Sequence, residues 1–137
     1  MPANGGVPTR VTWHGGIAAT ESRDGFLYYS KDADARLPTS IWRVPVNGGA
    51  EEHVVDGLSY SLNFAVAERG IYFVASAEAS DKSSIDFFDF ATSRRTTLVH
   101  FDKPFWWGMS LSPDEKSLLF PVVDRAGSDL MLVDSLR

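Results

Sequence analysis

At 137 residues the chain has the length of about one domain, on a scale of roughly 100–200 residues each. Its 44% hydrophobic and 23% charged residues are those of an ordinary globular protein, and 13 Lys and Arg against 18 Asp and Glu give a net charge of −5, which repels phosphate and argues against a nucleic-acid partner. Cysteine is absent, which excludes disulfides, thiolate metal sites and cysteine nucleophiles, and no apolar run approaches a membrane span.

The elements read as strands throughout. Met1 to Arg10 has no apolar stretch among its prolines and single charge, so a secretory signal is not expected there. A first strand is expected over 7–12, then four over 17–22, 26–31, 40–46 and 50–55. Phe26-Leu27-Tyr28-Tyr29 follows the turn Ser22-Arg23-Asp24-Gly25, and Asn47-Gly48 between two strand-like runs is a hairpin signal of type I′. The next four are expected over 62–67, 70–76, 84–90 and 95–100, with Glu68-Arg69-Gly70 as the turn before Ile71-Tyr72-Phe73-Val74. The last three are expected over 107–112, 117–123 and 129–134, with Ser112-Pro113-Asp114-Glu115-Lys116 before Leu118-Leu119-Phe120. No stretch holds a helical period with caps, so the fold class is all-β.

The strands repeat. Pro2-Ala3-Asn4-Gly5-Gly6 returns 43 residues later as Pro45-Val46-Asn47-Gly48-Gly49. Ser40-Ile41-Trp42 returns as Ser84-Ile85-Asp86 after 44 residues, and more loosely as Asp129-Leu130-Met131 after a further 45. Leu27-Tyr28-Tyr29 matches Ile71-Tyr72-Phe73 and Leu118-Leu119-Phe120. Four strands per repeat of roughly 40–50 residues is the sequence mark of a β-propeller. The turns Ser22–Gly25 and Ser112-Pro113-Asp114, with the run Ile41–Gly49, resemble TolB-like propeller repeats, and such blades are similar to those of dipeptidyl-peptidase propellers. The resemblance covers nearly the whole chain as a single domain over 1–137, with repeats near 13–55, 56–100 and 101–137. The middle repeat departs from it, since Ala67-Glu68-Arg69-Gly70 lacks the Ser-x-Asp-Gly turn and Asp86 stands where the first repeat has Trp42.

Three four-stranded blades are half of a six-bladed propeller, and propellers usually close with about four to eight. Either the chain is a stretch of a larger propeller, or two chains join as a homodimer closing a six-bladed ring. The order of strands favours the dimer: the N-terminal strand 7–12 has the character of a blade's fourth strand and completes the last blade of a partner chain, whose outermost strand is otherwise an exposed edge.

The search for chemistry is mostly negative. Gly108-Met109-Ser110-Leu111-Ser112 is one glycine short of a nucleophile elbow and falls on an inner strand. His14, His53 and His100 have no metal-ligand spacing, Lys31-Asp32-Ala33-Asp34 reads as a solvated loop, and Glu51-Glu52 reads as surface. No catalytic residue, no metal and no cofactor are expected. What stands out are the connections entering each repeat: Trp13 and His14, Tyr60 and Asn63, and Phe105, Trp106 and Trp107, a candidate mouth for a ligand or partner. Packing between repeats competes with this reading, most of all for Trp107, which leads straight into a strand. The resemblance implies a non-enzymatic scaffold for binding or protein interaction, in the periplasm if it follows TolB-like proteins. No membrane partner is expected, since no apolar run is long enough to span one. The alternative is an accessory or fragment of an enzyme, peptidase-associated or a lyase with its site in the channel.

Overall fold

The computed structural model describes residues 5–31, 39–76, 83–124 and 127–134, with the backbone path alone at 124 and 127–129. The expected loop at Asp32–Asp34 lies outside the described residues. All regular structure among the described residues is strand: β1 (Ala19–Glu21), β2 (Phe26–Lys31), β3 (Thr39–Pro45), β4 (Glu52–Leu58), β5 (Phe64–Val66), β6 (Gly70–Ala75), β7 (Ser83–Asp89), β8 (Arg94–Phe101), β9 (Ser110–Leu111), β10 (Leu118–Asp124) and β11 (Gly127–Val133).

These strands pair in chain order as antiparallel meanders. The first group is β1-β2-β3-β4, the second β5-β6-β7-β8 and the third β9-β10-β11. A single pair, Leu58 opposite Ala75, stitches β4 to β6, so the first two groups form one continuous eight-stranded curl.

Local chemistry explains the turns. In the first group Ser22 Oγ bonds Asp24, whose Oδ1 accepts the Phe26 N–H at 3.1 Å. The third group repeats the device, with Ser112 Oγ donating to Asp114 Oδ1 at 2.6 Å and the Lys116 N–H to the same oxygen at 3.3 Å. Short polar side chains that mimic a backbone turn are why these residue types recur there. The second group lacks the motif and closes tightly instead, with the Ala67 N–H bonded to the Gly70 carbonyl at 2.8 Å. A Cβ on Gly70 would collide with the Phe88 carbonyl and the Phe87 ring, so glycine is required there for space.

The core lies in two seams between groups. Tyr28, Ile41, Val55 and Leu58 of the first group pack against Phe64, Ile71, Phe73 and Ala75 of the second. Ala65, Val74 and Ile85 on the other side of the second group pack against Phe105, Leu118, Phe120 and Val122. The middle group is therefore buried on both faces, and β6 reads as a nearly continuous apolar run for that reason.

Residues 7–12 join no ladder with the described residues of the chain, and residues 5–10 are exposed; the pairing expected for this segment is with a partner chain. Two expectations need correction. The inner strands are shorter than the apolar runs that announced them, only three, three and two residues. The Asn47-Gly48 turn is not type I′. Of those two residues only Gly48 has positive φ (85°), and its N–H bonds the Pro45 carbonyl at 2.8 Å. The central residues of that turn are Val46 and Asn47, and a β-branched valine cannot take the left-handed conformation that type I′ demands.

Gly70→Ala is expected to destabilise the chain by about 1–3 kcal/mol through this overpacking. Denaturant unfolding of the variant checks it, and an unchanged midpoint would contradict the tight packing of β6 on β7.

Candidate functional site

The three connections leading into β1, β5 and β9 carry the sequence-predicted residues. In the third, Pro104 and Phe105 are fastened to β10: the Val123 N–H donates to the Pro104 carbonyl at 3.0 Å, and Phe105 bridges to Val122. The Phe105 ring is buried between Phe101 (4.9 Å) and Phe120 (5.1 Å), so it is the root of the connection and not part of a mouth. Trp106 and Trp107 then turn outward. Their rings stack at 5.4 Å and 24°, and they remain 55% and 57% exposed. Trp107 thus does not pack between groups, although its sequence position favours that.

Asn63 is fully buried and ties two connections together. Its Oδ1 accepts the Gly108 N–H at 2.9 Å, and its Nδ2 donates to Ser59 Oγ at 3.4 Å. The Asn63 N–H also closes a turn on the Tyr60 carbonyl at 2.9 Å, which leaves Tyr60 and Leu62 on the outside of the bend. Asn63 is accordingly a positioning residue, since its polar atoms are spent on the protein itself. Tyr60, Trp106 and Trp107 remain as exposed aromatics on two connections that it joins.

The first connection is organised by a residue that sequence reasoning placed on the surface. Glu51 is nearly buried, and its Oε1 accepts the N–H of Trp13 at 2.7 Å and of His14 at 3.4 Å, while Oε2 meets Lys31 Nζ at 3.1 Å. The bond from the Trp13 N–H, with Lys31 and Tyr29 beside it, outweighs burial and holds the Glu51 carboxyl down to about 2. Burial and the Glu51 charge push the Tyr29 phenol up to about 12, and its hydroxyl has no hydrogen bond of ordinary geometry. Above this latch Trp13 is exposed beneath the Arg10 guanidinium, 4.6 Å from the ring centroid. The His14 ring is also exposed, with Nδ1 3.5 Å from Glu51 Oε2. No local pattern could have announced Glu51, because Trp13 and Lys31 lie 38 and 20 residues away. Its neighbour Glu52 is on the surface, paired with Arg43 at 2.7 Å.

At the other end of the inner strands, the turns before β2, β6 and β10 border a cavity of about 240 Å³ with Glu21, Glu68 and Glu115 in its wall. Both Glu115 carboxylate oxygens accept the Glu68 N–H, at 3.0 and 3.2 Å, so this carboxylate serves as a tie between groups. Among the described residues no three His, Asp or Glu side chains gather as a metal set. Ser110 sits in a plain ladder opposite Leu119, without the strand-to-helix turn of a nucleophile elbow.

No family model matches the chain, and no curated protein does. Among solved structures it is similar to TolB from Acinetobacter baumannii, with a TM-score of 0.62 and 20% identity over 80% of this chain and 28% of that one. It is also similar to the β-propeller domain of the Trilobed protease from Pyrococcus furiosus, with a TM-score of 0.60 and 14% identity over 88% of this chain and 40% of that one. The fold is that of a β-propeller. Its groups of strands have the arrangement of propeller blades, and the chain spans less than half the length of either propeller it matches.

Two outcomes separate the mouth from its root. Trp106→Ala is expected to cost under about 1 kcal/mol and Phe105→Ala about 3–5 kcal/mol, as measured by denaturant unfolding, because only the second leaves a cavity. The Glu51 latch carries a pH signature. A carboxyl held this far below its usual value contributes on the order of 3 kcal/mol, fully present above the ordinary carboxylate pKa and lost as pH falls toward about 2. The stability gap between the native chain and Glu51→Gln should therefore shrink as pH drops from about 5 to 2. A gap that stays constant over that interval would contradict the latch.

Proposed function

We propose that this propeller is a non-enzymatic scaffold that binds a partner through the aromatic connections at one end of its blades. The observation that carries the reading is the stacked, half-exposed Trp106–Trp107 pair, together with exposed Tyr60, on two connections fastened by Asn63. Large rigid aromatics supply contact area at little cost in side-chain entropy, and loops held on a stiff sheet are where recognition concentrates. Trp13, braced by Glu51 and capped by Arg10, adds a fourth aromatic, on the connection of the first blade. A second reading, an accessory part of an enzyme, draws on the likeness to the propeller domain of a protease. It places any chemistry outside these residues.

Selection from a displayed library of random linear peptides, followed by affinity measurement, tests the proposal. Peptides recovered on the native chain should lose at least about tenfold in affinity to Trp106→Ala or Tyr60→Ala, a loss of about 1.4 kcal/mol, while the melting temperature stays in place. Binders indifferent to Trp13, Tyr60, Trp106 and Trp107 alike, or turnover of peptide or ester substrates by the chain, would overturn it.

A further inference from the structure

The repeat assigns a seam role to each strand position, and the third blade leaves its role unfilled. Tyr28 and Ile41 of the first blade pack forward onto the second. Their counterparts Tyr72 and Ile85 pack forward from the second blade onto the third. The third-blade residues in the same two slots are Leu119 and Leu130. Both are exposed, Leu130 at 70%, and Leu132, which pairs with Leu119 across β10 and β11, is 60% exposed. Leu118 and Phe120, the alternate residues, are buried against the second blade, so the pleat aims Leu119 the opposite way. This open face has the residues of a seam.

The backward face of the first blade has the matching character. Leu27 and Tyr29 occupy the slots of Ile71 and Phe73, which pack backward onto the blade before them; the Tyr29 ring is already buried, with Gly16 of the first connection against it. Trp42 occupies the slot of Asp86, which with Arg95 lines the same seam beneath Phe73. In front of that face, the Glu51 latch fixes residues 13 and 14, while residues 5–10 extend from it exposed, Val7 at 87%. The outer edge of β11 has no neighbouring strand among the described residues.

We propose that the occupant of the open face is a second copy of this chain. Residues 7–12 of each copy add as a fourth strand to β11 of the other, and the backward face of each first blade covers Leu119, Leu130 and Leu132 of the other. The two contacts are identical under a two-fold axis, so the assembly closes at six blades and does not grow into a filament. Pro8 suits this placement, because an outermost strand needs N–H groups on one side alone. The latch at Glu51 gives the arm a fixed root, which lowers the entropy lost on pairing. This assembly is independent of what the aromatic end binds.

Sedimentation equilibrium on the full chain should give twice its 15.1 kDa mass at micromolar concentration. Leu130→Glu combined with Leu132→Glu should convert it to monomer without loss of β-sheet circular dichroism. Because the chain has no cysteine, cross-linking is clean: a mixture of Thr9→Cys chains with Leu130→Cys, Met131→Cys or Leu132→Cys chains should yield a disulfide-linked pair for at least one partner. If the double Glu variant unfolds, the cross-link alone decides. A monomer at every concentration overturns the proposal, and so does a dimer with no cross-link. A disulfide formed within one chain when both cysteines are placed in it, at monomer mass, also overturns it.

Discussion

A four-stranded blade has two apolar faces and can hide each of them only against another blade. That constraint governs the rest of the molecule. The second blade satisfies it twice, with Phe73 and Ile71 pressed into one seam and Val74 and Ile85 into the other, and the nearly continuous burial of β6 follows from it. Within the described residues the first and third blades each meet another blade on one face alone, and the first covers Tyr29 of its other face with its own connection at Gly16. The alternation of side chains along a strand means that neither can turn its second face inward, since slipping the register by one residue would expose the face already buried.

Polar groups do a different task, which is to fix the blades relative to one another at their ends. Glu115 reaches from the third blade to the Glu68 N–H of the second, and Asn63 reaches from the second to the Gly108 N–H of the third. In the first seam Arg95 lies over the Phe73 ring and pairs with the buried Asp86 carboxylate, which Ser84 also satisfies. This explains the departure of the middle repeat from its neighbours. Asp86 replaces Trp42 where Arg95 stands on the next strand to neutralise it, and a buried carboxylate without that partner would be strongly destabilising. The apolar seams thus supply the driving force, and polar bonds between the blade ends select one mutual arrangement.

The exposed aromatics derive their positions from both. Trp106 and Trp107 follow immediately on Phe105, which is clamped by two neighbouring phenylalanines, and Tyr60 follows from the bend that Asn63 closes. Neither connection has regular structure of its own beyond an isolated bridge, yet each is anchored at a buried residue within three positions of the exposed ring. A surface built this way can present large aromatic area without reorganising.

The sequence by itself determined the class of fold, the order of the strands from β1 to β11 and the Ser-x-Asp turns, though not the type of the Asn47-Gly48 turn. Those depend on residue type at short range: alternating or continuous apolar runs, Ser-x-Asp turns, and a recurring block that says each unit is built alike. It also marked Tyr60, Trp106 and Trp107 as unusual, because a pair of tryptophans in a connection is visible without coordinates. Tertiary structure alone decided which marked residues face outward. Phe105 and Asn63 belong to the interior because of β10 and the connection across from them, and Trp107 is free of the seam that its position favoured. Glu51 was legible only as one of two adjacent acids. Its role arises from an N–H and an ammonium far away in the chain, and only folding brings such groups within hydrogen-bonding distance.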